Sequence, residues 1–381
     1  MADSKAIICV GAGKLEIQPV ARQKPPPGYL LIKTRAVALN PTDWKAIHDP
    51  SGFAAGTRPG VDFAGVVEEV GPGANRGFQQ GDRVCGVAFG AKDAEHGAFG
   101  HYTITKEHVV ARIPDHLSFE QAATLGVGVT TCGQALYQLL GLPLPPVASA
   151  SASASEPAAE AGGPQRQTIL IGGGSTATGV LGIQYAKLSG LRVVATASPH
   201  NFDYLRSLGA DVLLDYHEPV EALVQKIREA VGGGDGGGRG GEEDEDDLTL
   251  AWDCSPSEHF QDLAARALSA KKKGLYATVA PLTPADLLAD RNPMVEARFQ
   301  LGYTAFGESF ARGANVFPAS PEDAAFAAAF WERSEKLLED KKLRPIRETA
   351  NRGGQGLEGV LVGLEDLRQG RVSGTKLVYT L

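Results

Sequence analysis

The chain has 381 residues, 43% of them hydrophobic, and a formal charge of −8 from 37 basic and 45 acidic side chains. That length fills one or two cores and favours two domains. Six of the acids form one block (Glu242, Glu243, Asp244, Glu245, Asp246 and Asp247), so the rest is near neutral, and nothing forms the basic stripe that a nucleic-acid backbone would need. No window approaches the ~20 apolar residues of a membrane span. The opening MADSKAIICVGAG lacks the basic and apolar regions of a signal peptide. A cytoplasmic protein that touches neither nucleic acid nor membrane is expected.

The first ~125 residues read as mostly β, punctuated by Gly and Pro at intervals that suit a small barrel. Strands are expected over 29–39, over 61–70 (VDFAGVVEEV), and after the turn at Gly81 (GDRVCG). The pattern then changes. Thr168-Ile169-Leu170-Ile171 is a compact strand of the buried type, followed by a glycine-rich turn and a helix over 178–189 that stops at Gly190. A strand over 191–197, a helix over 202–208 and a strand over 212–216 follow, with further strands at 248–253 and 275–279. Strand alternating with helix implies a doubly wound parallel sheet.

Two stretches, 145–167 (PPVASASASASEPAAEAGGPQRQ) and 232–247 (GGGDGGGRGGEEDEDD), are low-complexity insertions, read as solvated loops. Near the end, Leu357, Leu361, Leu364 and Leu367 recur at helical spacing before Gly370, and Lys376 opens a last strand. The cysteines Cys9, Cys85, Cys132 and Cys254 have no ligand-like spacing and read as small buried residues. His48, His96 and His101 likewise read as surface or satisfied side chains.

The glycine turn carries the chemistry. In Gly172-Gly173-Gly174-Ser175-Thr176-Ala177-Thr178-Gly179, Gly174 and Gly179 fit the first and third positions of GxGxxG, and the middle position is Thr176. Gly174 is expected to make the tight turn, and Gly179 to let helix and strand approach. Ser175, Thr176 and Thr178 offer hydroxyls to a phosphate at a helix N-terminus. A rival reading is a nucleophile elbow of the GxSxG type on Gly173–Ala177 numbering, with Ser175 as nucleophile; Ala177 replaces its last glycine and no HGGG-type loop accompanies it. An NAD-preferring site carries Asp or Glu about 20 residues after the glycines. Here the strand ends in Ala197-Ser198-Pro199-His200-Asn201, with no carboxylate to repel a 2′-phosphate. NADPH is therefore expected, with charge supplied from elsewhere, Arg206 or Lys187.

The stretches AVALNPTDWK, GVDFAGVVEEVG, GDRVCG, AATLGVGVTTCGQAL and LGADVLLDY, with the glycine turn, resemble the medium-chain dehydrogenases/reductases. The resemblance implies an α/β protein: a GroES-like β-barrel domain over 1–125 completed by 320–381, and a Rossmann domain with a doubly wound parallel sheet over 126–319. Zinc members of that superfamily hold their metal at positions matched here by Asn40, Val61 and Val127. An amide and two apolar side chains cannot hold Zn²⁺, so no metal is expected. Within the zinc-free branch, GGSTAT, SPHN, the stretch around Glu308 and the ending GLEGVLVGLEDLRQGRVSGTKLVYTL are most similar to the trans-acting enoyl reductases of fungal highly reducing polyketide synthases.

That resemblance implies NADPH contacts at Asn40, Pro41, Thr42, Asp43, Trp44 and Lys45, at Gly174, Ser175, Thr176, Ala177 and Thr178, at Ser198, Pro199, His200 and Asn201, and at Tyr216, Val372 and Ser373. Lys45 is the candidate catalytic group, orienting the cofactor ribose or stabilising an enolate, and Tyr216 is placed at the adenine end. The acyl chain would meet Thr130, Thr131, Cys132, Gly133, Gln134, Ala135, Leu136 and Tyr137, and Val279, Ala280, Pro281, Leu282 and Thr283. The implied substrate is an α,β-unsaturated acyl thioester carried on a polyketide synthase, and the family precedent is a monomer. Two other readings stay open: a free-standing NADPH reductase of quinones, enals or enones, and a cofactor-binding scaffold without catalysis.

Overall fold

The computed structural model describes residues 4–48, 55–147, 167–232, 247–282, 284, 287–313 and 315–381. The insertions at 145–167 and 232–247 fall outside the described residues except at their ends, and Thr283 also falls outside them. The chain divides into two compact units, 1–130 with 302–381, and 131–301.

The first unit opens with β1 (Ser4–Gly11) and β2 (Lys14–Val20), an antiparallel pair. Then come β3 (Tyr29–Ala38), α1 (Pro41–His48), β4 (Asp62–Val70), β5 (Arg83–Val87), β6 (Tyr102–Lys106), β7 (Val110–Arg112) and α2 (Phe119–Ala123). Helix α3 (Gly126–Cys132) runs into a π-helical stretch, Gly133–Leu139. The second unit continues with β8 (Thr168–Gly172), α4 (Ala177–Leu188), β9 (Arg192–Ala197), α5 (Phe202–Ser207), β10 (Val212–Asp215), α6 (Val220–Gly232), β11 (Leu250–Asp253), α7 (Glu258–Ala267), β12 (Gly274–Thr278), α8 (Leu287–Arg291) and β13 (Val295–Phe299). The chain then returns to the first unit with a 3₁₀ turn (Gly302–Phe306), β14 (Phe310–Arg312), β15 (Asn315–Phe317), α9 (Pro321–Glu339), β16 (Glu348–Ala350), α10 (Gly356–Arg368) and β17 (Lys376–Thr380).

The first unit is built on a sheet in the order β16-β17-β3-β4-β5-β7, with β6 also paired to β3. Ile32, Val37, Phe63, Val67, Phe99 and Tyr379 are buried in its core beside Leu357, Val360 and Leu364, the apolar stripe of α10. At Gly65 an added Cβ would lie 2.3 Å from the Lys33 carbonyl oxygen, so the bulged register between β3 and β4 needs glycine there. The segment 302–319 belongs with this unit, as do 126–130, whereas the sequence assigned both to the second domain. Aromatic packing explains the first of these: Phe89 stacks on Tyr303 at 4.6 Å and meets Phe306 at 5.0 Å and Phe310 at 5.3 Å. Glu308 adds polar ties, accepting from Tyr29 Oη at 2.7 Å and Lys106 Nζ at 2.8 Å.

The second unit is a six-stranded, all-parallel sheet in the order β10-β9-β8-β11-β12-β13. Counted within the unit, this is 3-2-1-4-5-6, the dinucleotide-binding order, whose reversal lies beside the first strand. The central strands β8 and β11 are buried throughout, which is why TILI and LAW read as apolar runs. Among the described residues no helix is long and apolar enough to cross a membrane.

Candidate functional site

The residues singled out in the sequence divide between the two units. In the second, β8 ends at the point where strand order reverses, and its glycine turn leads into α4. Gly173 has φ +67°, and so makes the left-handed turn. This corrects the expectation that Gly174 would do so; Gly174 instead donates its N–H to Thr196 O at 2.8 Å. Gly179 acts as expected, since a Cβ there would sit 2.3 Å from Gly173 O. The helix starts at Ala177 with Thr176 as N-cap. Thr176 Oγ1 accepts from Gly179 N at 3.1 Å and donates to Gly173 O at 2.8 Å, so its hydroxyl is spent on holding the turn. Among the described residues, no group accepts from the backbone N–H of Ser175, Ala177 or Thr178. These free donors, at the N-terminus of a twelve-residue helix, fit the diphosphate of a dinucleotide.

The Thr178 carbonyl accepts from Cys132 Sγ at 3.6 Å. All four cysteines are free and buried, as expected. Beside the turn, Asp253 ends β11 fully buried, with Tyr276 Oη donating to it at 2.5 Å and Ser255 N at 3.0 Å. Burial pushes its carboxyl up to about 6 despite those hydrogen bonds. Sequence reasoning missed this residue; its signal is an acid closing an otherwise apolar strand.

At the end of β9, Ser198 Oγ donates to Tyr216 Oη at 3.3 Å, and Tyr216 is 43% exposed. His200 and Pro199 are exposed, but Asn201 is buried, with its amide 3.1 Å from His200 Nε2. The two cations proposed from sequence to balance a 2′-phosphate are both engaged. Lys187 Nζ bonds both Asp211 oxygens at 2.8 Å, and Arg206 bonds Asp203 at 2.8 Å.

The residues assigned to the acyl chain are largely structural in their contacts. Thr131, Cys132, Gly133, Gln134, Ala135, Leu136 and Tyr137 are buried, and Tyr137 Oη meets Ser189 Oγ at 3.0 Å. Thr131 O accepts from Gln300 Nε2 at 3.0 Å. Val279, Ala280 and Leu282 are half-buried and Pro281 exposed.

In the first unit, α1 carries residues 40–45 at its start. Asp43 accepts from Asn40 N at 2.8 Å, half of a capping box. Lys45 is exposed, with its ammonium 5.8 Å from the Trp44 ring centroid, while Trp44 packs on the core. Thr130, also in this unit, is buried and accepts from Trp331 Nε1 at 3.1 Å. Val372 is half-buried against the core and Ser373 lines an open recess of about 430 Å³ with Arg347, Thr349 and Thr375.

Behind α1 lies a feature the sequence did not announce. Asp62 is fully buried, and its Oδ2 accepts from Asn40 Nδ2 at 3.0 Å and from Lys376 Nζ, which is itself 3% exposed. Its Oδ1 accepts from Val127 N at 2.5 Å, capping α3. Gly126 makes room for this, since a Cβ there would lie 2.3 Å from Asp62 Oδ1. Lys376 also donates to Thr124 O at 3.1 Å. Burial, with Asp62 nearby adding to it, pushes the Asp43 carboxyl up to about 8 against the lowering pull of Asn40 and Lys376. The positions matched to zinc ligands, Asn40 and Val127, therefore bond a carboxylate that is already neutralised by an ammonium. Among the described residues, no group of three His, Cys, Asp or Glu side chains could hold a metal.

Residues 26–115 match the alcohol dehydrogenase GroES-like domain. The chain is 42% identical to a trans-enoyl reductase of Aspergillus sclerotiorum over 92% of both chains. It is 38% identical to one of Alternaria alternata over the whole of both. Among solved structures it resembles an alcohol dehydrogenase superfamily protein from Novosphingobium aromaticivorans (TM-score 0.75, 20% identity, the whole of both chains). It also resembles the CurK enoyl reductase (TM-score 0.71, 17% identity, 99% of each).

Proposed function

We infer the reaction from the family, for the chain belongs to the trans-enoyl reductases of the medium-chain dehydrogenase/reductase superfamily. It is an oxidoreductase that uses a nicotinamide cofactor, and we propose NADPH as that cofactor and a carrier-bound α,β-unsaturated acyl thioester of a polyketide synthase as the substrate. The observation that carries this reading is the turn after β8. It stands where strand order reverses and presents free N–H groups, and no carboxylate closes β9.

When bound, the reduced nicotinamide supplies a hydride for the β-carbon of the acyl chain. The protein's own part is to bind, orient and balance charge. Ser175, Ala177 and Thr178 donate backbone N–H groups to the diphosphate. Ser198 and Tyr216 offer hydroxyls to the 2′-phosphate, and the exposed Tyr216 ring offers a face to adenine. Lys45, exposed on α1, is assigned the ammonium that meets the ribose or the negative charge developing on the thioester oxygen. Val279, Ala280, Pro281 and Leu282 are assigned to the acyl chain, together with the residues 130–137. No side chain is assigned as proton donor, and water delivers the α-proton.

The test is to mix the purified chain with an α,β-unsaturated acyl pantetheine thioester and NADPH or NADH, following loss of the reduced nicotinamide absorbance. Oxidation of NADPH, with NADH much slower, supports the proposal. Rapid turnover of quinones or enals with none of the thioester sinks it.

A further inference from the structure

We propose that His217, on the turn after β10, is the cationic group that reads the cofactor's 2′-phosphate. This rests on the NADPH reading above. A 2′-phosphate carries nearly two negative charges, and hydroxyls alone balance none of that charge. Ser198 and Tyr216 are neutral, Lys187 pairs with Asp211 and Arg206 with Asp203 on α5, and among the described residues neither cation is shown in contact with Ser198 or Tyr216. His200 Nε2 lies 3.1 Å from the Asn201 amide nitrogen, so that edge of the ring is already engaged.

His217 is differently placed. Its side chain is 60% exposed, and its ring lies 4.1 Å from the Tyr216 ring with 30° between planes. Tyr216 Oη in turn meets Ser198 Oγ, so one continuous contact runs from the end of β9 to the histidine. His217 Nδ1 donates to Asp215 Oδ1 at 2.6 Å, and its backbone N donates to the same oxygen at 3.1 Å. That carboxylate fixes the ring, and an imidazolium held in this way presents Nε2–H as a charged donor to a phosphate. The bond also engages Asp215, the residue before Tyr216, whose free carboxylate would repel a phosphate there. The remaining charges on this edge, Glu218 and Lys226, pair with each other.

The test reads binding, not turnover. Adenosine 2′,5′-bisphosphate and adenosine 5′-monophosphate are titrated calorimetrically into wild type, His217→Gln, His217→Lys and Ser198→Ala, each checked by thermal melting. His217→Gln should weaken the bisphosphate about tenfold and leave the monophosphate unchanged, as loss of one charge-assisted hydrogen bond implies. His217→Lys should keep most of the bisphosphate affinity. If His217→Gln shifts both ligands equally, or neither while Ser198→Ala still weakens the bisphosphate, the histidine is structural and the proposal fails alone. If wild type binds both ligands equally, the NADPH reading fails and takes the proposal with it.

Discussion

Replacing Lys376 by Met keeps the bulk of the side chain and removes its charge. In the native unit Lys376 is 3% exposed and Asp62 is fully buried, so neither charge has water to fall back on. The variant leaves the Asp62 carboxylate with two neutral donors, Asn40 Nδ2 and Val127 N, and strips Thr124 O of a donor. Breaking a buried pair from one side costs about 3–5 kcal/mol, because the surviving charge stays desolvated. For a unit of this size that is a fall in Tm of roughly 10 °C or more. Removing both charges, Asp62→Asn with Lys376→Met, should recover part of the loss, because the pair's attraction and its desolvation cost disappear together. Thermal unfolding followed by circular dichroism decides it. A Lys376→Met variant that melts within about 2 °C of wild type, or a double variant less stable than the Lys376→Met single, would refute the view of this pair as a mutually dependent buried unit.

Asp43, with its carboxyl pushed up to about 8 by burial, binds a proton in the folded state that the unfolded chain has released by pH 5. Its contribution to stability is fully present below pH ~4 and is lost as pH rises towards 8, at up to about 1.4 kcal/mol per pH unit. Urea titrations at pH 5 and pH 8 should therefore show a smaller decline for Asp43→Asn than for wild type; equal declines would count against it. Thr176→Val keeps the shape but removes the N-cap oxygen, and should cost about 1 kcal/mol in urea unfolding. It should also weaken dinucleotide binding in fluorescence titration, since Gly173 O loses its donor and the turn its anchor.

Much of the second unit was legible in the sequence because its signals are local. A buried β strand, a glycine turn and a helix stopped by Gly190 follow one another within 168–190, and Gly190 has φ +85°. The run Gly172-Gly173-Gly174 was ambiguous for a local reason too: with three glycines in a row, motif spacing alone does not say which takes the positive φ. In the sequence the Thr176 hydroxyl looks like a phosphate ligand, because the Gly179 N–H that it caps is brought to it only by the fold. The helix Pro321–Glu339 does carry local signals, for Ser320 caps it, Pro321 opens it, and Glu322 and Asp323 fill its first turn. The Asp62–Lys376 pair could not be read at all. Its partners stand 314 positions apart, and a lysine that opens a strand is ordinarily a solvated one. Only the register of β17 against β3 brings them to the same buried place.

The place of β17 also bears on the order in which the protein is made. Residues 131–301 form the second unit as one uninterrupted stretch, so it can close as soon as it leaves the ribosome. The first unit cannot follow the usual N-terminal-first order. Its sheet waits for β17, which is wedged between β16 and β3 and brings the only ammonium shown bonding Asp62 among the described residues. Until residues 376–380 are synthesised, the nascent chain exposes the flank of β3 and holds the Asp62 acid without its counter-charge. The stretch translated first thus belongs to the unit that matures last, and it is exposed to chaperones and to misassociation while translation continues.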